Sequence, residues 1–170
     1  MGEYWDIYDK NRKLTGRVAE RNVYQFKDGE YHIVKAAIIM NSKNEILMAK
    51  RAPTKLKEPL KWEFTGGGLH AGETSLQGIL REVEEELGIT FKPEEAIYLK
   101  EIRKDETPPD FKDLWLFKKD LKIEEIKFTD GEAIDAKWVT IDEFLKMKEN
   151  NETISTIDFG MEEYELALKK

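Results

Sequence analysis

The chain has 170 residues, enough for one domain with a proper core. Hydrophobic residues make up 40% and charged residues 37%, and the absence of cysteine excludes disulfides, thiolate metal sites and a cysteine nucleophile. A net charge of −7 argues against a partner of extended nucleic acid. A phosphate-bearing substrate would need local cations, from Lys and Arg or from bound metal.

No apolar run approaches the roughly 18 residues of a membrane span. The opening MGEYWDIYDK lacks the basic and then apolar layout of a signal peptide, and Asp6 stands where a myristoylation motif needs Ser or Thr. The expected location is therefore the cytoplasm. Residues 3–9 read as a short strand, 10–16 as a polar turn, and Val18 to Phe26 as a second extended segment closed by Lys27-Asp28-Gly29. Together they make an N-terminal strand extension over residues 1–30. Tyr31 to Met40 is the most strand-like run, rich in β-branched residues. Asn41 to Asn44 reads as a hairpin turn, and Glu45 to Arg51 as the antiparallel partner.

Ala52 to Lys61, with two prolines and three lysines, reads as a loop, and Trp62 to Thr65 as a short strand delivering glycines to a helix. Ala96 to Lys104, Phe111 to Lys119 and Ala133 to Val139 follow as strands. Thr140-Ile141-Asp142-Glu143 is a capping-box pattern that opens a short helix through about Met147. A last helix is expected over about 154–169. Strands dominate the first two-thirds, one helix interrupts them, and helices close the chain. This pattern fits an α+β domain, or a layered α/β/α sandwich with a mixed β-sheet, spanning 1–170 as one unit.

The stretch from Gly66 to Ile89, GGGLHAGETSLQGILREVEEELGI, carries the chemistry. Thr74 and Gln77 form a capping box, and Gly88 sits where a left-handed C-cap belongs, so the helix should run from Ser75 to Leu87. At the helical period, Leu76, Ile79, Leu80, Val83 and Leu87 form one apolar stripe. Glu82, Glu85 and Glu86 flank it within an arc of about 100°, while Glu84 falls on the other side. Three carboxylates so close repel one another and raise each other's pKa, a conflict that a hard, oxygen-seeking cation removes. An acidic run is more commonly just a solvated face. Here the cluster borders the buried stripe and follows a glycine-rich turn with a further acid, Glu73.

Gly67, five residues, Glu73, seven residues, then Arg81-Glu82-Val83-Glu84-Glu85-Glu86-Leu87-Gly88-Ile89 resembles the Nudix box, over residues 67–89, at every defined position. The likeness to a Nudix hydrolase of the MutT-like kind extends over roughly Val34 to Leu145. It implies a Nudix-type α/β/α sandwich and a metal-dependent hydrolase that cleaves the diphosphate linkage of a nucleoside diphosphate joined to another group, with Mg2+ or Mn2+ as cofactor. It implies that Glu82, Glu85 and Glu86 bind metal, that the Gly67 carbonyl is a further ligand, and that Glu82 or Glu85 orients or deprotonates the attacking water. Arg81 would hold the carboxylates and Glu73 support the loop. Gly66 and Gly68 would let the backbone approach metal and phosphates without a Cβ.

Similar proteins place an extra acid where this chain has Glu132, which reads either as a ligand or base or as a solvated turn residue. Arg51 is a candidate for substrate phosphate, at the end of a basic rim with Lys50, Lys55 and Lys57. His70 reads as loop and His32 as a hydrogen-bonded strand residue. Trp62, Trp115 and Trp138 suit core or pocket wall. Trp5 and its neighbouring tyrosines fit either a homodimer interface or a cover over the sheet edge. EYWDIYD, YHIVKAAI and LMAKRAPTKLKEPLKW resemble the subgroup related to isopentenyl-diphosphate isomerase. Those isomerases need a cysteine where this chain has Gly66 and a metal-binding histidine where it has Gly68, so the isomerase reading fails on chemistry. A non-catalytic nucleotide sensor would be expected to lose box acids and to carry a DNA-binding domain. This box is intact, and no second domain is expected within the 170 residues, so the hydrolase reading is preferred. The box handles the diphosphate, and the small-molecule substrate is not legible in it.

Overall fold

The computed structural model describes residues 2–170. Met1, which begins the N-terminal reading, lies outside the described residues. The elements are β1 (Tyr4–Tyr8), β2 (Leu14–Glu20), β3 (His32–Met40), β4 (Ile46–Arg51), β5 (Trp62–Glu63), β6 (Thr65–Gly68), α1 (Ser75–Leu87), β7 (Ile97–Lys104), β8 (Asp110–Lys118), β9 (Ala133–Val139), α2 (Ile141–Glu149) and α3 (Met161–Leu168).

β1 and β2 form a separate antiparallel hairpin. The other strands form one sheet in the order β5-β4-β3-β8-β7, with β6 added on β3 and β9 on β4. β3 and β8 run parallel and the remaining pairs antiparallel, so the sheet is mixed. Alternation along the strands divides the core into two layers. Ala37, Ile39, Leu47 and Phe117 pack with Ile79, Val83 and Leu87 of α1. Ile38, Met40, Leu114 and Leu116 pack on the other face with Phe144 and Met147 of α2 and Ala167 of α3. The fold is thus the expected α+β sandwich.

Several boundaries differ from the sequence reading. The first turn is shorter: the Asp9 carboxylate accepts from the backbone of Asn11 (2.8 Å) and Lys13 (3.0 Å), closing the loop early. The second strand is therefore 14–20, not 18–26, and Gly16, at φ +82, lies within it. Positions 66–68 are not a loop but strand β6. The closing helix starts seven residues later than expected. Ile157 and Phe159 are spent in extended chain that plugs the core, with Gly160 at the helix entry. α2 continues two residues further, to Glu149.

The partner of β3 also departs from a simple hairpin. β4 meets β3 at one register pair, Met40 with Ile46, and spends its length on β9 instead. Its departure frees the edge of β3 from Val34 to Ala37, and β6 occupies that edge. Gly66 fits because it has no side chain: a Cβ there would lie 2.2 Å from the Lys35 carbonyl oxygen and 2.9 Å from Ala36 Cα.

Candidate active site

α1 begins and ends where its caps dictate. Thr74 Oγ1 accepts from the Gln77 N–H at 3.2 Å, and Gln77 Oε1 accepts from the Thr74 N–H at 3.0 Å. Gly88 takes the left-handed conformation at φ 67, and its N–H donates to the Glu84 carbonyl at 2.9 Å. Pinned at both ends, with its stripe against the sheet, the helix carries its acidic flank along the edge of β6.

A cleft of about 520 Å3 opens there. Glu82, Glu85, Glu86, Arg81, Gly66, Gly67, Gly68, Arg51 and Glu132 all line it, so nearly every sequence-based candidate converges. Glu73 and Gly88 stand outside the lining: Glu73 lies behind Arg81, and Gly88 caps the far end of the helix.

The acidic groups are held unequally. Arg81 organises the upper part, donating to Glu73 at 2.6 and 3.0 Å and to Glu85 at 2.9 Å, with Glu82 at 3.4 Å. Burial pushes the Glu73 carboxyl up, but the Arg81 hydrogen bond and charge outweigh it and hold the pKa below the usual range. Glu82 has a second cation, Lys35, whose Nζ donates to Glu82 Oε2 at 2.9 Å and to the Gly68 carbonyl at 2.7 Å. Lys35 is fully buried, and burial lowers its pKa against the opposing pull of Glu82.

Glu86 is different. It is 8% exposed, has no ion-pair partner among the described residues, and sits beside Glu82. Burial first, and then the charges of Glu82, Glu63 and Asp130, push its pKa well above the usual carboxylate range. A buried carboxylate facing a second one fits a hard divalent cation, and all the donors are oxygen. Among the described residues no three acidic or imidazole groups already converge on one point, because Glu85 is turned to Arg81. Mg2+ commonly takes one or two carboxylates plus waters and substrate oxygens, so a pair is a sufficient anchor.

Around this centre, Arg51 donates to Glu63 at 2.8 Å and to the carbonyls of Glu58 (3.1 Å) and Lys57 (2.8 Å). Lys55 pairs with Glu132 across the cleft mouth. His70 lies 3.9 Å from Glu3, and both reach the cleft. Trp115 donates to Ser75 and Trp138 to the Leu121 carbonyl, outside the cleft. Trp5 covers the sheet, stacked on His32 at 4.1 Å between centroids. Position 66, where an isomerase would need its cysteine, has no space for a side chain.

Sequence reasoning missed Lys35, Glu63, Asp130 and Lys112, all of which line the cleft. A signal for Lys35 was present: a lone lysine on the α1-facing side of an otherwise apolar strand needs a buried partner.

A mixed sheet that delivers a glycine strand against a capped helix, with carboxylates and one buried lysine converging between them, is the frame of a Nudix-type diphosphate-cleaving enzyme. Comparison with known proteins agrees: residues 30–157 match the NUDIX domain family, and the chain belongs to it. An uncharacterized Nudix hydrolase of Listeria monocytogenes is 33% identical over 158 residues, covering 89% of this chain and 88% of the relative. The 8-oxo-dGTP diphosphatase of Escherichia coli is 42% identical over 57 residues, covering 34% of this chain and 43% of that protein. A Deinococcus radiodurans crystal structure shares the fold, with a TM-score of 0.74 over 98% of both chains at 18% identity. The chain is a Nudix hydrolase, an enzyme class that acts on small-molecule diphosphates. No helix among the described residues is long and apolar enough to cross a membrane.

Proposed function

We propose that this chain is a metal-dependent hydrolase that cleaves the diphosphate linkage of a nucleoside diphosphate joined to another group. The observation that carries the reading is Glu86, buried beside Glu82 with no ion-pair partner among the described residues. Glu82 and Glu86 would hold Mg2+ or Mn2+, with Glu85, the Gly67 carbonyl and Glu132 as further donors, and the bound ion would neutralise phosphate charge and lower the pKa of water.

The chain's own groups then divide the remaining work. Lys35 and Arg81 hold Glu82 in place, which makes it a good anchor. Glu85 is the freer acid: its side chain is 51% exposed and, among the described residues, tied only to Arg81. It is the better group to orient the attacking water and take its proton. Arg51 spends three N–H groups on Glu63 and two carbonyls, which leaves donors for a phosphate oxygen on the cleft side. Gly67 lies beside Glu82, where a Cβ would make ordinary contact at 3.5 Å from Oε1. Catalysis of this kind rests on positioning and electrostatics.

The test is a screen of nucleoside-diphosphate compounds with phosphate detection. Cleavage is expected to vanish with EDTA and to return with Mg2+ or Mn2+. Chelator-resistant cleavage would exclude the mechanism.

A further inference from the structure

One part of the cleft has no role in that chemistry. On β3, Val34 and Ala36 are half-exposed while every other residue of the strand is buried. They floor the same cleft that holds the carboxylates, on the sheet face turned away from α1. The floor continues onto β6, where Gly68 pairs with Val34, and onto β8, where Lys112 pairs with Val34. Two strand spacings make this shelf about 10 Å across.

One side of the shelf ends in an aromatic wall and the other in a donor. On the β6 side a Cβ at position 68 would lie 2.6 Å from Trp5 Nε1, so the indole occupies the space a side chain would take. That Nε1 is buried, so the indole closes this side of the shelf as a wall. On the β8 side Lys112 Nζ donates to the Thr156 carbonyl at 2.9 Å and to Asp158 Oδ2 at 2.6 Å. An ammonium has three protons, so one remains for the cleft.

We propose that this shelf selects the group carried on the diphosphate, and that it takes a planar heterocycle edged with carbonyl oxygens. Lys112 is the specificity-determining residue, and the Trp5 ring bounds the opposite side. The placement of the diphosphate rests on the hydrolase reading above. Side chains as small as Val34 and Ala36 let a flat ring lie on the strand. Lys112 offers only donors, so an amino group at the ring edge would set N–H against N–H and leave both unpaired. Sites built on a specific hydrogen bond discriminate more sharply than apolar pockets do. Hypoxanthine, guanine and uracil therefore fit, and adenine and cytosine do not.

The experiment compares rings that differ only at that edge. Binding of IDP against ADP, and of UDP against CDP, is measured by calorimetry on the full chain with Ca2+ in place of Mg2+. The oxo member of each pair is expected to bind about 10-fold tighter. Lys112→Met and Lys112→Gln should each narrow the ratio to about 2-fold, and Lys112→Arg should retain it, with melting curves confirming the fold. Equal affinities in the wild type, or a preference that survives in folded Lys112→Met or Lys112→Gln, would overturn the proposal. Failure of all four nucleotides to bind would overturn it too, whatever else the protein cleaves. Selective binding without any cleavage would sustain the shelf and sink the hydrolase reading.

Discussion

Glu86→Gln exchanges one carboxylate oxygen for an amide nitrogen at nearly constant volume, so it removes a charge without opening a cavity. The charge removed is 8% exposed and unserved, because Lys35 and Arg81 are already engaged with Glu82. Relief of that uncompensated charge should stabilise the metal-free protein by about 1–2 kcal/mol. For a chain of this size that is a rise in Tm of about 3–6 °C. Because the folded carboxyl is the weaker acid, its penalty applies above the ordinary carboxylate pKa and fades as the pH falls, so the gap between variant and wild type should close in acid. The same substitution removes a metal anchor. At about 100 times its Kd, Mg2+ should stabilise the wild type by about 2.7 kcal/mol and the variant far less, with turnover at least ~100-fold lower in the variant. Thermal melts in EDTA and in Mg2+, beside kcat, decide the matter. A variant less stable than wild type in EDTA, or one that keeps the full Mg2+ shift and near-normal kcat, would refute the assignment of Glu86.

Gly66→Ala should cost about 3 kcal/mol or more, read as a lower urea midpoint, because both atoms it meets are backbone and cannot swing aside. Burial holds His32 down at about 4, against the Pro109 carbonyl that favours its charged form. Its unfolded form titrates near 6.5, so up to about 3 kcal/mol of stability should be lost as the pH falls from about 6.5 to 4. Asp110, pushed up to about 6 by burial, acts with the opposite sign, so the measurement is the difference between wild-type and His32→Phe stability profiles. With isopentenyl diphosphate, product analysis should show no double-bond migration, since the chain holds no cysteine and position 66 admits no side chain.

Local signals carried the helix and its acids. Thr74, Gln77 and Gly88 act within a few residues of themselves, and the 3.6-residue period separates Glu82, Glu85 and Glu86 from Glu84 without tertiary information. What stayed hidden depends on distant pairing. Nothing near Ile46 says that β4 will leave β3 for β9, yet that departure makes room for the glycine strand. Ile157 and Phe159 suit a helix by composition, but a hole in the core takes them as extended chain. Lys35 has a legible anomaly, a charge in an apolar strand, while its partner lies 47 positions away. The readings of Glu132 and Arg51 met the same limit: both reach the cleft, each held by a residue that no local pattern points to.

The parallel pairing of β3 with β8 has a kinetic consequence. His32 meets the Pro109 carbonyl 77 positions along the chain, and Lys35 bonds both Glu82 of α1 and the Gly68 carbonyl of β6. Pairings of such separation pay their loop-closure entropy before they return any contact, which makes folding slow and late to complete. The cleft is expected to form with the last strands, and a transition state that lacks it offers nothing for a cation or nucleotide to hold. Such ligands act on this chain as brakes on unfolding and leave the refolding rate where it was.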